Sequence, residues 1–362
     1  MIRISDIYGI EKCRTYVNDV ITSGWLTFTG KYVEECEKML ENILGVKHVL
    51  LTNNGTSATH CLIKSIKLHK PECKKIYVQN NCYIAVYNSI LTEFNNDEIE
   101  VLPIDSETWN LDLNYLDVIE KNAALMIVHN LGNILPIDKI KEVRPDIIIV
   151  EDNCEGFMGK YNDKYSGTDS LASSLSFYAN KHITCGEGGA FITNNTDLYN
   201  KIVSFTRQGV SSKKYIHTMH AYNYRITNIN AAILLSQLEQ LNVILEKKKE
   251  IYDKYCNLLK DQEYISLQKI EDQTIHSNWI FGIKILKDID YDEIEVYFKN
   301  FNIEIRPFFY DIYKSEYLKT IHRKETKTND MSIILLPIYV NLKLSDVDYI
   351  VNIIKQFISE KF

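Results

Sequence analysis

A mainly parallel α/β sheet with helices on both faces, followed by a smaller α+β body, is the fold class this sequence predicts. Three observations carry the expectation. Short apolar runs alternate with segments of helical period through the first two-thirds of the chain. Those runs are apolar along their whole length, as strands buried on both faces are. From about Asn228 the pattern changes to a long helical repeat and then to further strands. A chain of 362 residues is long enough for two such bodies, each with a core.

Taken in order, HVLLT (48–52), KIYVQ (75–79), ALMIVH (124–129) and DIIIVED (146–152) are expected strands. TSATHCLIKSI (56–66) has a helical period and stands for the connections between them. This alternation implies a parallel sheet covered on both sides. Ligands of such sheets collect at the carboxyl ends of the strands. Leu234, Leu238, Leu241 and Leu245 follow the i, i+4, i+7, i+11 rhythm of one helix face. They predict a single helix from about 228 to 260 that carries the chain out of the large body. NWIFGIKIL and SIILLPIYV then read as strands, and SDVDYIVNIIKQF as a closing helix. The expected division is 1–240, with its first residues able to pack on the small body, and 241–362. The run Lys247-Lys248-Lys249, flanked by Glu246 and Glu250, reads as a solvated helix face.

Composition excludes several function classes. The formal charge of −7 offers no basic excess to attract nucleic acid. Eight cysteines without a CxxC pair argue against a disulfide framework and against a metal cluster, and fit a reducing cytoplasm. The opening MIRISDIYGIEKC has no long apolar run, so no signal peptide is expected. No stretch of about twenty apolar residues exists to span a membrane. The sequon Asn54-Gly55-Thr56 would go unused in a cytoplasmic chain.

Four groups suggest a single cofactor. Asp152 ends a buried strand, where a desolvated carboxylate needs a partner. A helix cap or salt bridge would serve, and so would a cationic nitrogen on a ligand. TNNGTSATH ends a strand and opens a helix, whose first N–H groups suit a phosphate, although Thr56 or Ser57 could equally be a plain cap. Tyr83, in NNCYIAVYNSI just after a strand, could belong to the core or stack on a flat ligand. Lys181, in SFYANKHITCGEGGAF, stands among small and aromatic residues before a glycine-rich turn. A snorkelling surface lysine is one reading. The other is a buried amine made nucleophilic by desolvation. A phosphate cradle, a stacking aromatic, a strand-end aspartate and a buried lysine together match pyridoxal 5′-phosphate.

With these residues in view, the sequence resembles the DegT/DnrJ/EryC1/StrS family of sugar aminotransferases nearly end to end. GWLTFTGKYVEECEKMLENILGVKHVLLTNNGTSATH is similar to the family's opening block. VLPIDSETWNLD, HNLGNILPID, VEDNCEGFMG, SFYANKHITCGEGGAFITNN, AYNYRITNINAAI, IEIRPFFY and ILLPIYVNL follow in the family's order. SFYANKHITCGEGG and IEIRPFFY are most similar to its perosamine synthase branch.

The resemblance implies the aspartate-aminotransferase (type I) fold of pyridoxal-phosphate enzymes and a homodimer with active sites at the subunit interface. It implies transfer of nitrogen from L-glutamate to C4 of a nucleotide-linked 4-keto-6-deoxyhexose. By position, Lys181 is the Schiff-base lysine and Asp152 pairs with the pyridine nitrogen. Glu155 reaches the ring hydroxyl, and Tyr83 stacks on the ring. Thr56, Ser57 and Ser176 hold the phosphate, which Asn223 reaches from the other subunit. Arg225 and Arg306 are candidates for contacts with the substrate's diphosphate. Asn153 and Cys154 stand where relatives often have small residues, and His129-Asn130-Leu131-Gly132 where relatives read HLYG. These departures bear on substrate choice rather than on the chemistry. Relatives with histidine in place of the lysine are sugar dehydratases, whereas here the lysine is present and His182 follows it. Three alternatives remain: amination at C3 of a 3-keto sugar nucleotide, a regulatory homologue that keeps the cofactor without turnover, and a nicotinamide oxidoreductase. Retention of Lys181, Asp152 and Glu155 argues against the second. The third lacks its glycine fingerprint.

Overall fold

The computed structural model describes residues 1–213, 215–324 and 332–362. In chain order its strands are β1 (His48–Thr52), β2 (Ile76–Gln79), β3 (Ile99–Leu102), β4 (Ala124–Val128), β5 (Ile148–Asp152), β6 (Lys160–Tyr161), β7 (Lys164–Tyr165), β8 (Ser173–Ser176) and β9 (Gly189–Thr193). The later strands are β10 (Ile265–Leu267), β11 (Thr274–Ile275), β12 (Phe281–Ile285), β13 (Arg306–Pro307), β14 (His322–Arg323) and β15 (Ile333–Leu336). The helices are α1 (Arg14–Ser23), α2 (Lys31–Leu44), α3 (Gly55–His69), α4 (Ala85–Ile90), α5 (Ile137–Val143), α6 (Thr196–Thr206), α7 (Asn228–Leu238), α8 (Leu241–Leu259), α9 (Tyr291–Asn300) and α10 (Leu344–Lys361).

The large sheet has the order β1-β9-β8-β5-β4-β2-β3-β14. From β8 to β14 every pairing is parallel. All four expected strands are present, and β2, β3, β4 and β9 are buried along their whole length. The sheet is mainly parallel, as expected, with one strand reversed. β9 runs antiparallel to both β8 and β1. The chain returns from β8 to β9 through the turn around Lys181 without a crossover helix, and a direct return of this kind can only reverse the strand. A side ribbon of β11, β6 and β7 and a four-stranded antiparallel sheet, β10-β12-β15-β13, complete the strands.

Apolar side chains pack on both faces of the large sheet. One cluster, around Cys61, Leu62, Ile66, Tyr87 and Phe205, lies under α3, α4 and α6. Another, around Leu40, Phe177, Ala232 and Leu238, lies under α2 and α7. A separate core joins Tyr255, Phe281, Phe298 and Phe357 on the small sheet to Trp109 and Leu131 from the large one. The first residues join this core too: Ile2 bridges to Ile303, and Ile4 is buried in it.

The single helix expected over 228–260 is two, because the chain leaves helical geometry at Gln240, with φ −102° and ψ 1°. The Gln240 side chain donates to the carbonyls of Ser236 and Gly9, pinning the N-terminal segment against the break. The basic run is also not a uniform solvated face. Lys247 and Lys249 are exposed and paired with Glu250 and Asp253, but Lys248 is only 4% exposed. It shares the buried stripe of α8 with Leu241, Ile244, Ile251, Tyr252, Tyr255 and Leu259. Among the described residues, no helix is long and apolar enough to cross a membrane.

The small sheet meets the large one at Gly282. A Cβ added there would lie 2.8 Å from both Leu131 Cδ1 and Trp109 Cζ3. Trp109 is fully buried and cannot move aside. Gly282→Ala is expected to destabilise the protein by roughly 1–3 kcal/mol, seen as a lower urea midpoint at unchanged slope.

Candidate active site

The carboxyl ends of β2, β4, β5 and β8 and the start of α3 converge on one region. Glycines permit the approach. A Cβ on Gly55 would lie 2.8 Å from Ser176 Cβ, and one on Gly189 would lie 2.6 Å from the Asn54 carbonyl. Ser176, the last residue of β8, is thereby pressed against the first turn of α3, beside Thr56 and Ser57. The cap expected of Thr56 or Ser57 is made by Asn54, whose side chain accepts from the Ser57 N–H at 2.8 Å. The N–H groups of Gly55 and Thr56 have no acceptor among the described residues.

Asp152 ends β5, 6% exposed. One carboxylate oxygen accepts from the Cys154 N–H at 2.9 Å. The other lies 3.5 Å from Thr59 Oγ1, which also meets Ser174 Oγ at 3.2 Å. No basic side chain of the described residues forms an ion pair with it. Its neighbour Glu151 points to the opposite face, where His129 Nε2 donates to it at 2.8 Å. The His129 tautomer follows from Nδ1, which accepts the Leu135 N–H. Glu155 is buried and accepts the Leu131 N–H at 2.8 Å. Burial pushes its carboxyl up to about 7, against the opposing pull of the Lys181 charge. Cys82 and Cys154 flank Asp152. Burial, then the Asp152 charge, holds both thiols well above the usual range, so neither is a ready nucleophile.

Lys181 follows β8 and is half-buried rather than enclosed. Its Nζ lies 4.0 Å from the centre of the Trp279 ring. Trp279 Nε1 donates to the Asn180 carbonyl at 3.0 Å, and the Trp279 carbonyl accepts from Lys248 Nζ at 2.8 Å. Burial, then the Lys181 charge, pulls the Lys248 amine down to about 7. Tyr83 is 58% exposed, with its ring centre 6.1 Å from that of Phe309.

Three expected residues stand apart from this group within one chain. Exposed Asn223 accepts from Arg225 Nε at 2.7 Å and has no hydrogen bond to Thr56, Ser57 or Ser176. Arg225 stacks on Phe28 at 4.1 Å, with Arg207 on the same ring at 5.4 Å. Arg306 is exposed on β13 and ion-paired with Glu304.

The donor set fits pyridoxal phosphate. Two helix-start N–H groups without acceptors suit its phosphate, and a buried carboxylate without a basic partner suits a protonated ring nitrogen. A model of the DegT/DnrJ/EryC1/StrS aminotransferase family matches residues 8–355. The chain belongs to that family. It is an aminotransferase, and its cofactor is pyridoxal phosphate. It is 30% identical to a GDP-perosamine synthase of Escherichia coli O157:H7 over 357 residues, covering 97% of this chain and 96% of that one. A GDP-perosamine synthase of Vibrio cholerae is 32% identical over 307 residues, with 82% of each chain covered. Among solved structures, the fold is shared with E. coli GDP-4-keto-6-deoxy-D-mannose-3-dehydratase with bound hydrated PLP. That likeness has a TM-score of 0.89 at 20% identity, over 98% of this chain and 99% of the other. Helicobacter pylori PseC, an aminotransferase involved in the biosynthesis of pseudoaminic acid, shares it at TM-score 0.86 and 24% identity, over 96% of both chains.

Sequence reasoning missed Thr59, Trp279 and Lys248 in this aminotransferase. Thr59 had no signal beyond its place on the sheet-facing side of α3. Lys248 did have one: it lies four residues after Ile244 and four before Tyr252, on the apolar stripe.

Glu155 makes stability depend on pH. Its folded value of about 7 lies above the ordinary 4.5, so the native carboxyl keeps a proton that the unfolded chain has released between them. Stability is therefore lost as the pH rises through that window. Glu155→Gln is expected to remove that loss, on the order of 3 kcal/mol. The check is urea unfolding of the cofactor-free protein, variant against wild type, on either side of the window.

Proposed function

We propose that this aminotransferase moves the amino group of L-glutamate to C4 of a nucleotide-linked 4-keto-6-deoxyhexose. The product is a 4-amino-4,6-dideoxyhexose of the perosamine or viosamine type, made in the cytoplasm for glycan synthesis. The observation that carries the reading is the pairing of Asp152, buried without a basic partner, with a lysine amine at the same end of the sheet. The two GDP-perosamine synthases that align over most of the chain favour C4 over C3.

The cofactor, when bound, supplies an aldehyde that takes up amino groups and a ring that withdraws electrons from the adjacent carbon. Lys181 Nζ holds that aldehyde at rest, then removes and returns the proton on the substrate carbon as general base and acid. Asp152 keeps the ring nitrogen protonated, and Thr59 fixes the carboxylate that does so. Glu155 would meet the ring hydroxyl. Its value of about 7 leaves it able to donate or accept there near neutral pH. Tyr83 offers a ring face for stacking. Gly55 and Thr56 N–H groups, with the hydroxyls of Thr56, Ser57 and Ser176, hold the phosphate.

We further propose a homodimer in which Asn223 and Arg225 serve the partner's site. Arg225 stacks on Phe28, and in the same segment Trp25 and Leu26 are 60% and 46% exposed. Arg225 and Arg306 are suited to a diphosphate by their forked donors. Residues 1–240 form the cofactor-binding body and 241–362 the small body.

Lys181→Ala is expected to lower turnover by about a thousandfold or more, the range for loss of an acid–base group that also bonds the cofactor. The assay supplies glutamate with a panel of 4-keto and 3-keto sugar nucleotides and measures aminosugar and 2-oxoglutarate. Wild-type turnover by the variant, or amination of the 3-keto compounds alone, contradicts the proposal.

A further inference from the structure

Lys248 is an expensive residue to bury. An amine in the core gives up its hydration, and an apolar side chain of similar length would fill the same space at lower cost. Among the described residues, no carboxylate forms an ion pair with it. Among the described residues, the titratable groups set against it are Lys181 and His182 on the turn after β8, with Tyr252 one turn on along its own helix and His276 packed on Tyr252. Asp6, Tyr8 and Tyr339 line the small cavity it shares with Lys181, and Asp6 is exposed there. Burial, then the Lys248 charge, holds His182 well below the usual range, and burial lowers His276 to about 4, so both are neutral. Among the described residues the Lys248 amine makes one hydrogen bond, to the Trp279 carbonyl.

That bond completes a clamp. Trp279 is 6% exposed and held at three points: its carbonyl by Lys248, its Nε1 by the Asn180 carbonyl, and its N–H by Ser277 Oγ at 3.3 Å. Ser277 is itself fixed by His182 on its carbonyl at 2.6 Å and by its own Oγ on the Glu155 carbonyl at 2.6 Å. The face of the clamped indole carries Lys181 Nζ. A lysine that bonds the cofactor must let go and return in each half-reaction, so it needs a defined place within reach while free.

We propose that Trp279 is a positioning residue for Lys181, its indole face holding the amine while it is not bonded to the cofactor, and that Lys248 fixes this indole through the Trp279 carbonyl. The inference rests on the reading of Lys181 as the reactive lysine. It assigns Lys248 no contact with substrate. Its effect passes through Trp279.

The holoenzyme tests this by spectroscopy at equilibrium. L-glutamate and 2-oxoglutarate are mixed in varied ratio, and the ratio that bleaches half of the bound cofactor's visible absorbance is read. Bleaching frees Lys181, so a lost resting place shifts the balance toward the coloured form. Trp279→Leu is expected to raise the half-bleaching ratio by roughly 3- to 30-fold, the span of a cation–π contact. Trp279→Phe, which keeps a ring and serves if the leucine variant fails to fold, shifts it less. Lys248→Met shifts it in the same direction, and the double variant Trp279→Leu/Lys248→Met no further than Trp279→Leu alone. An unchanged ratio in both Trp279 variants overturns the proposal. Additive shifts in the double variant overturn the part assigned to Lys248. Failure of the underlying reading looks different: Lys181→Ala would then keep the wild-type absorbance and turn over normally.

Discussion

A carboxylate buried at the end of a central strand, with no cation of its own, is the constraint on which the rest of this structure depends. Asp152 is held by the Cys154 N–H and approached by Thr59, and no basic side chain of the described residues forms an ion pair with it. Uncompensated, such a group costs several kcal/mol. In the function proposed above, a ligand with a cationic nitrogen recovers that cost, and a ligand that binds only the native state stabilises it in proportion. The surrounding geometry serves this placement. β5 pairs with β8 so that Asp152 lies opposite Ser174, which meets the same threonine hydroxyl. Two residues after Ser174, Ser176 reaches the start of α3, and the chain then turns through Lys181 into the antiparallel β9.

The second organising feature is the segment from His276 to Gly282, which joins the small sheet to the site. Ser277 bonds the carbonyl of Glu155, Trp279 lies under Lys181, and Gly282 packs on Trp109 and Leu131. Leu131 in turn donates its N–H to Glu155. The small sheet is therefore tied to Glu155 and Lys181 by hydrogen bonds and packed rings. α8 reinforces the coupling, because its first turns pack with the large sheet and its later turns with the small one.

How much of this was legible in the sequence follows from the range of each interaction. Strands buried on both faces announce themselves by composition, so β1, β2, β4 and β5 stand where the apolar runs are. The direction of β9 was hidden, because antiparallel pairing depends on the connection and not on the strand's own residues. The break at Gln240 was hidden as well: its bonds go to Gly9, far away in sequence, and the leucine rhythm passes through the break undisturbed. Asp152 and Lys181 were legible as polar residues in apolar surroundings. Thr59 and Trp279 were not, since each matters only for what the fold sets beside it. Lys248 was misread because its two lysine neighbours are solvated, and the charge run outweighed its position on the buried stripe.

The most direct measurement maps where the cofactor bonds. Protein loaded with pyridoxal phosphate is reduced with borohydride, digested, and the peptide carrying the pyridoxyl group identified by mass spectrometry. The label is expected on Lys181 alone, the amine that follows β8 at the strand ends where Asp152 lies. A label on Lys248 or on any other lysine, or no label on a chain that binds the cofactor, contradicts it.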